Sequence, residues 1–306
     1  MKTYAAYYDN EIRNASSSGG IFSLLVSQFD VIYGVEMDEK NQYAIYVRKT
    51  KDIASLRGSK YMQAKVGDSF KQIKKDLLEG QQVLFVGTAC QVNGLHAFLQ
   101  CEFSNLLTVD VICHGVPTAY YWQKFVEGQD IYHVNFRAKK GGWENYTYGM
   151  LLNDRYIPYD KNKYMDLYIK DYMLRPCCYE CVCKRTKKSD MTLGDFWGIE
   201  KIDPSMSDNR GTSVVMVRSE KGQDLFDRVK AKMIWKEVSY EDGVKQNPSE
   251  YKSSERPSDR QQFFEDMKKM SFDELYNKYM RRPRIWNRMF SKLNRLIKKE
   301  RKISEV

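Results

Sequence analysis

Nowhere in the 306 residues is there an apolar run approaching the roughly 18 positions needed to span a bilayer. The first thirty residues also lack the basic, apolar and small-residue succession of a secretion signal. A cytoplasmic protein is therefore expected. The seven cysteines are an odd number, none precedes Cys90, and four fall between Cys177 and Cys183. A reducing compartment and that distribution argue against a disulfide framework and make metal binding the leading explanation. There are only three histidines, His96, His114 and His133, and no histidine pair of the kind zinc loops use. Outside the last 26 residues the chain also carries little net charge. Residues 281–306 hold ten Lys/Arg and two Glu, which is +8 of the total +10. The body has no basic face to argue from, and no nucleic-acid partner is expected.

What is present reads first as alternation. Residues 31–35 and 43–47 have strand character, 69–78 form an amphipathic helix, and 81–86 (QQVLFV) is a buried strand running into Gly87. A helix over 90–99, a strand over 106–112 and a helix over 119–126 follow. Before them, the polar stretch 14–20 leads into a short helix over 21–29 with a serine cap. After Phe136 comes a Gly-, Tyr- and Lys-rich stretch, then a helix over 164–174 stopped by Pro176, a strand over 212–217 and a helix over 223–232. The fold class this predicts is α/β passing into α+β, with a mostly parallel or mixed sheet flanked by helices, a cysteine-containing loop region and a helical C-terminal tail. The expected domains are a catalytic domain over 1–246, a polar linker over 247–262 and a basic helical tail over 263–306.

Two cysteines sit just past the ends of neighbouring predicted parallel strands, Cys90 in Gly87-Thr88-Ala89-Cys90-Gln91 and Cys113 in Cys113-His114-Gly115-Val116-Pro117. Ligand crevices form at the carboxyl ends of such strands. Cys178 and Cys181 form a CxxC after a proline-stopped helix, a spacing that lets two thiolates chelate one centre. These four supply the thiolates of a 4Fe-4S cube. Zinc competes for a CxxC loop, which keeps open a zinc-stabilised nucleic-acid or protein binding module. Cys101 reads as a small core residue, and Cys177 and Cys183 as substitutes for the CxxC ligands. Ser16-Ser17-Ser18-Gly19-Gly20 opens a helix with free N–H groups able to hold a pyrophosphate, although on its own it is equally a flexible turn.

In order, Gly87-Thr88-x-Cys90-Gln91, Cys113-His114-Gly115-Val116-Pro117, Cys178-Tyr179-x-Cys181 and Gly194-Asp195-Phe196-Trp197-Gly198 resemble the coenzyme F-420 hydrogenase/dehydrogenase beta-subunit family. Ser17 to Gly20, the Gly58-Ser59-Lys60-Tyr61-x-Gln63 segment, and Arg137 with Gly141-Gly142-Trp143 support it, so the resemblance runs from about Tyr4 to Val217. It departs from the family at Ala89, where proline is common, and at Thr118, where serine is. It implies an iron–sulfur flavoprotein that passes electrons between a one-electron donor and a deazaflavin or other small-molecule acceptor through a 4Fe-4S cluster and FAD. A link to polysaccharide biosynthesis follows from some relatives, as does the alternative of a non-redox glycan-modifying enzyme with a structural cluster. The implied FAD contacts are Ser18, Gly19, Gly20, Ser59, Lys60, Tyr61, Gln63, Gly87, Thr88 and Gln91, with His114 and Lys60 as catalytic candidates. Trp197 suits a shield for the cluster, a flavin neighbour or a core residue equally well. Relatives often begin with a ferredoxin-like segment, and its absence before Cys90 predicts a separate ferredoxin-like donor. In the tail, Ile285, Trp286, Met289, Phe290, Leu293, Leu296 and Ile297 share one helical face opposite a basic one, as in an interfacial helix that contacts anionic lipid or an acidic partner. The same pattern fits a terminal helix packed on the body with a solvated basic face; in the interfacial reading the protein sits at the membrane periphery.

Overall fold

A computed structural model describes residues 1–280, apart from the side chain of Asn145. The expected tail helix over 281–306 lies outside the described residues. The chain divides into two units, the first ending at Arg260 and the second beginning at Gln261.

In chain order the strands are β1 (Lys2–Tyr7), β2 (Val31–Met37), β3 (Ala44–Lys49), β4 (Ala64–Lys65), β5 (Val83–Thr88), β6 (Leu106–Val111), β7 (Val134–Ala138), β8 (Gly149–Leu152), β9 (Arg155–Pro158), β10 (Met191–Asp195), β11 (Ser213–Val217) and β12 (Ile234–Val238). Nine of them make one mixed sheet in the order β12-β1-β11-β10-β6-β5-β2-β3-β4, and β7, β8 and β9 make a separate antiparallel sheet. At the centre β2, β5, β6 and β10 are parallel. Both faces of this centre are covered, which is why β5 and β6 read as nearly unbroken apolar runs. On one face Leu24, Leu25, Leu225 and Phe226, from the helices Ile21–Val26 and Glu220–Val229, meet Leu84 and Leu107. On the other, Ile73, Leu77, Val92 and Leu95, from Ser69–Leu78 and Ala89–Leu99, meet Val83, Phe85 and Leu106. Alternate residues of one strand thus feed opposite cores, as a period of two requires. The parallel register also brings the carboxyl ends of β5, β6 and β10 to one edge, and the site forms there.

Two local expectations are corrected. The helix starting at Ile21 ends at Val26, and its cap is Gly20 in the left-handed region (φ 79°), with no side-chain cap. The serines are engaged elsewhere: Ser16 Oγ donates to Ile12 O (2.7 Å), Ser18 Oγ donates to Thr212 O (2.9 Å), and Ser17 Oγ accepts from Ser59 N (2.8 Å). The helix expected over 164–174 is Lys163–Tyr168. Asp171 adopts φ 66°, which ends helical progress and lets Leu174 bridge to Pro117. Within residues 247–262, Asn247 is buried, and Glu250 is buried and ion-paired with Arg218 and Lys187.

In the second unit, the helix Phe272–Met280 follows the end of Arg260–Lys269, and Phe263 meets Tyr279 edge-on at 4.9 Å. Among the described residues no helix is long and apolar enough to cross a membrane.

Candidate functional site

The ends of β5 and β6 set the position of two thiols. Cys90 falls in the first turn of Ala89–Leu99 and Cys113 two residues beyond β6, while the short turns Pro176–Cys178 and Val182–Lys184 hold Cys178 and flank Cys181. One pocket is lined by Cys90, Cys113, Cys178 and Cys181 together with Cys183. Cys177 is exposed and does not line it. Cys101 is also outside the pocket, but it is exposed rather than a core residue, because it stands past the end of its helix with its thiol directed to Leu99 O (3.4 Å).

The electrostatics of the pocket disfavour crowded bare thiolates. Burial pushes the Cys113 thiol up to about 12; Lys184 pulls it back, and the nearby Cys90, Cys178 and Cys181 add to the rise. Burial likewise raises Cys178 and takes Cys183 to about 11. Val116 N donates to Cys178 Sγ (3.4 Å), and Lys184 Nζ donates to the backbone oxygens of Cys113 and Ser249. Among the described residues, no three His, Cys, Asp or Glu side chains are grouped closely enough to hold one metal ion. The thiols instead line a small pocket of about 30 Å³, with Lys184, Lys187 and Asp110 also in its wall. A donor set of four or five sulfurs with cations beside it fits an anionic polynuclear cluster by its chemistry.

A second cavity of about 710 Å³ adjoins the first and shares Thr88, Val111, Cys113, His114, Gly115 and Val116 with it. Its volume lies in the range of cofactor and substrate sites. Of the sequence-predicted flavin residues, Ser18, Gly20, Ser59, Lys60, Tyr61, Gly87, Thr88 and Gln91 line it, whereas Gly19 and Gln63 do not. Gly19 has a different reason to be glycine. A Cβ there would stand 2.5 Å from Ala6 O and 2.8 Å from Ser213 N, so the loop can lie against β1 and β11 only without one. Lys60 Nζ donates to Ser55 O (2.9 Å) and Arg57 O (2.8 Å), and burial lowers its amine to about 7, against a smaller opposing effect of Glu36. His114 stands where the two spaces meet, Nε2 2.6 Å from Asp171 Oδ1 and Nδ1 3.4 Å from Ser249 Oγ. Asp171 was missed by sequence reasoning, since nothing in the sequence marks its left-handed turn.

The far wall is aromatic. Trp197 stacks on Trp143 (4.5 Å, 14°) and lies 5.1 Å from the Tyr146 ring, while Tyr148 meets Tyr159 edge-on at 5.3 Å. Trp197 lines the larger cavity and not the cysteine pocket. From β7, Arg137 lies over the Tyr148 ring at 4.0 Å, and its Nη1 donates to Asp195 Oδ2 (2.9 Å) and Tyr61 OH (3.0 Å). The loops behind this wall are tied by Lys139, whose Nζ donates to Arg13 O, Ser18 O and Arg210 O at 2.6 to 2.7 Å. The clustering of tyrosines in the stretch without helical or strand period was the one sequence signal for this wall.

Comparison with curated proteins finds no match. A solved chain from the xenon-derivatised F420-reducing nickel–iron hydrogenase complex of Methanosarcina barkeri has a similar fold, with a TM-score of 0.55, 17% identity, and coverage of 79% of this chain and 82% of that one. The family profile for the C terminus of the coenzyme F420 hydrogenase/dehydrogenase beta subunit matches residues 80–242, a span that carries every cysteine of the pocket and both of its lysines. On that match, covering more than half of the sequence, the chain belongs to the coenzyme F420 hydrogenase/dehydrogenase beta-subunit family, whose description is that of an oxidoreductase component.

Proposed function

We propose that the chain is an iron–sulfur flavoprotein oxidoreductase, with Cys90, Cys113, Cys178 and Cys181 holding a 4Fe-4S cluster and the larger cavity holding FAD. The observation that carries this reading is the shared wall: a thiol-lined pocket and a cavity of cofactor size meet at Cys113, His114 and Gly115. When bound, a cluster supplies one-electron transfer and a flavin the exchange between one- and two-electron chemistry. The chain's own contribution is position and charge. Lys184 offsets negative charge at the thiol pocket, the aromatic wall supplies flat apolar surface, and His114, oriented by Asp171, stands ready to hold or move a proton at Nδ1. On the cysteine side the pocket opens near exposed Cys90 and Val182, where a ferredoxin-like donor would approach. A deazaflavin or another small organic acceptor would enter the larger cavity.

Anaerobic purification followed by iron, zinc and flavin assays and a visible spectrum tests the reading. The expected result is about four irons and one FAD per chain with broad brown absorbance. Stoichiometric zinc without iron would replace it with a zinc-stabilised module, and iron without any retention or uptake of FAD would remove the flavin assignment.

A further inference from the structure

Arg137 is almost wholly buried, with 3% of its side chain exposed, and it lines the larger cavity. Only one of its three guanidinium nitrogens is engaged among the described residues: Nη1 serves both Asp195 and Tyr61, whereas Nε and Nη2 are buried and have no hydrogen-bond partner there. Leaving buried donors unpaired costs about 1–3 kcal/mol each, and more on a charged group, so such an arrangement persists for a reason. The two free nitrogens are also a matched pair. Nε–H and the adjacent Nη2–H point the same way along one edge of the guanidinium plane, the geometry that takes both oxygens of a carboxylate or two of a phosphoryl group. The plane is held in place by the Tyr148 ring at 4.0 Å and Trp197 at 5.3 Å, and Asp195 keeps the opposite nitrogen occupied. Beside it stand the rings of Tyr146 and Tyr159, giving a flat apolar surface next to an anion-binding edge.

We propose that the Nε–Nη2 edge of Arg137 is the specificity anchor for the acceptor, which carries a carboxylate or phosphoryl group next to a flat ring that lies on the Tyr148–Trp197 wall. Asp195 and Tyr61 act as positioning residues that fix the guanidinium so that this edge faces the ligand. The low-dielectric surroundings strengthen a charge-assisted pair there, and an uncharged analogue of the same shape is discriminated against because it leaves the edge unpaired. The inference rests on reading the cavity as the substrate side of a redox site, but it concerns anion recognition and can be tested apart from iron or flavin content.

The test is calorimetric titration of the anaerobically purified protein with benzoate, with benzamide as the uncharged control, for the wild type and Arg137→Lys. The lysine variant keeps a cation for Asp195, so the fold is expected to survive, and a thermal melt checks it; it lacks the side-on pair. Benzoate should bind the wild type more tightly than benzamide and bind Arg137→Lys roughly 10- to 100-fold more weakly, with benzamide unchanged. Benzoate binding that is equal in the two proteins, or no stronger than benzamide binding, overturns the proposal. A parallel FAD titration separates the other source of phosphoryl oxygens: loss of FAD uptake in Arg137→Lys with benzoate binding intact assigns the edge to the flavin pyrophosphate and overturns the acceptor assignment.

Discussion

The two pockets share six wall residues, yet they are built in different ways. The cysteine pocket takes its chemistry from main-chain direction: parallel strands end at one edge, two thiols stand just past those ends, and a CxxC turn closes over them. Its side chains are mutually unfavourable, since burial and neighbouring sulfurs drive Cys113 up to about 12. The larger cavity takes its chemistry from side-chain packing instead. Stacked rings and one stacked arginine form its far wall, and two of its cationic side chains are anchored by protein oxygens, Arg137 through Nη1 at Asp195 and Lys60 at Ser55 and Arg57. One pocket needs a cation to become favourable, whereas the other is largely preformed.

Iron loading breaks the comparison most sharply. Serine at Cys90, Cys113, Cys178 or Cys181 is expected to abolish bound iron and brown absorbance, while serine at Cys101 leaves both. Cys183 lines the same pocket and is held by Asn93 Nδ2 at 3.5 Å, so Cys183→Ser is expected to retain iron. Loss of iron there, with retention in Cys181→Ser, would move the fourth ligand to Cys183.

The next effect belongs to the loop beside the larger cavity. Gly19→Ala would force a Cβ against two backbone atoms, and overpacking of this kind costs about 1–3 kcal/mol. A lower denaturation midpoint is expected whether or not FAD is present. Unchanged stability with release of FAD would restore a phosphate-binding role to this glycine.

The same contrast governs what the sequence discloses. The strands over 81–86 and 106–112 and the cysteines that follow them are legible, because continuous apolar runs and strand-end thiols are local signals. That Cys90, Cys113, Cys178 and Cys181 come to one pocket was readable, but not that Cys183 joins it and Cys177 does not, since residues close in sequence face apart in a short turn. β1 and β12 were missed: both pair through the sheet's antiparallel side, and β12 (IWKEV) is exposed over most of its length. The β8–β9 hairpin was missed although Asn153, at φ 53°, marks its turn by residue type. The Arg137 edge and the His114–Asp171 pair depend on residues 57 to 58 positions apart, and no periodicity carries information over that distance.

A smaller effect distinguishes the two sides by pH. Lys60 has an ordinary amine in the unfolded chain and one lowered to about 7 in the fold. Between about 7 and 10.5 the unfolded chain binds a proton that the folded chain does not, so stability rises with pH across that window; below it both forms are protonated and this group gives no slope. One proton sets a ceiling of about 1.4 kcal/mol per pH unit, and partial solvent access at Lys60 makes the slope shallower. Lys139 is also lowered to about 7 and acts with the same sign, so the measurement is the difference between wild type and Lys60→Met in denaturation midpoints across the window. The variant should show the flatter rise, and identical profiles would show that Lys60 is protonated alike in both states.

The smallest effect is expected at Gln91, one helical turn from the shared wall residue Thr88. Its side chain lines the larger cavity, yet its Oε1 already accepts from Thr88 N (2.8 Å), Thr88 Oγ1 (3.0 Å) and Tyr46 OH (2.8 Å). The first of these satisfies a backbone donor at the start of Ala89–Leu99, the helix that carries Cys90, and the third anchors Tyr46 over Gly87, where a Cβ would stand 2.2 Å from the tyrosine hydroxyl. An oxygen with three donors has little capacity left for a ligand, so through Oε1 Gln91 is a support for the cysteine side where it borders the larger cavity. Gln91→Leu is therefore expected to lower stability by about 1 kcal/mol and to leave FAD affinity within about twofold. The opposite pattern, unchanged stability with weakened FAD binding, would make Gln91 a flavin ligand and show that the aromatic cavity, too, depends on the strand end that positions the thiols.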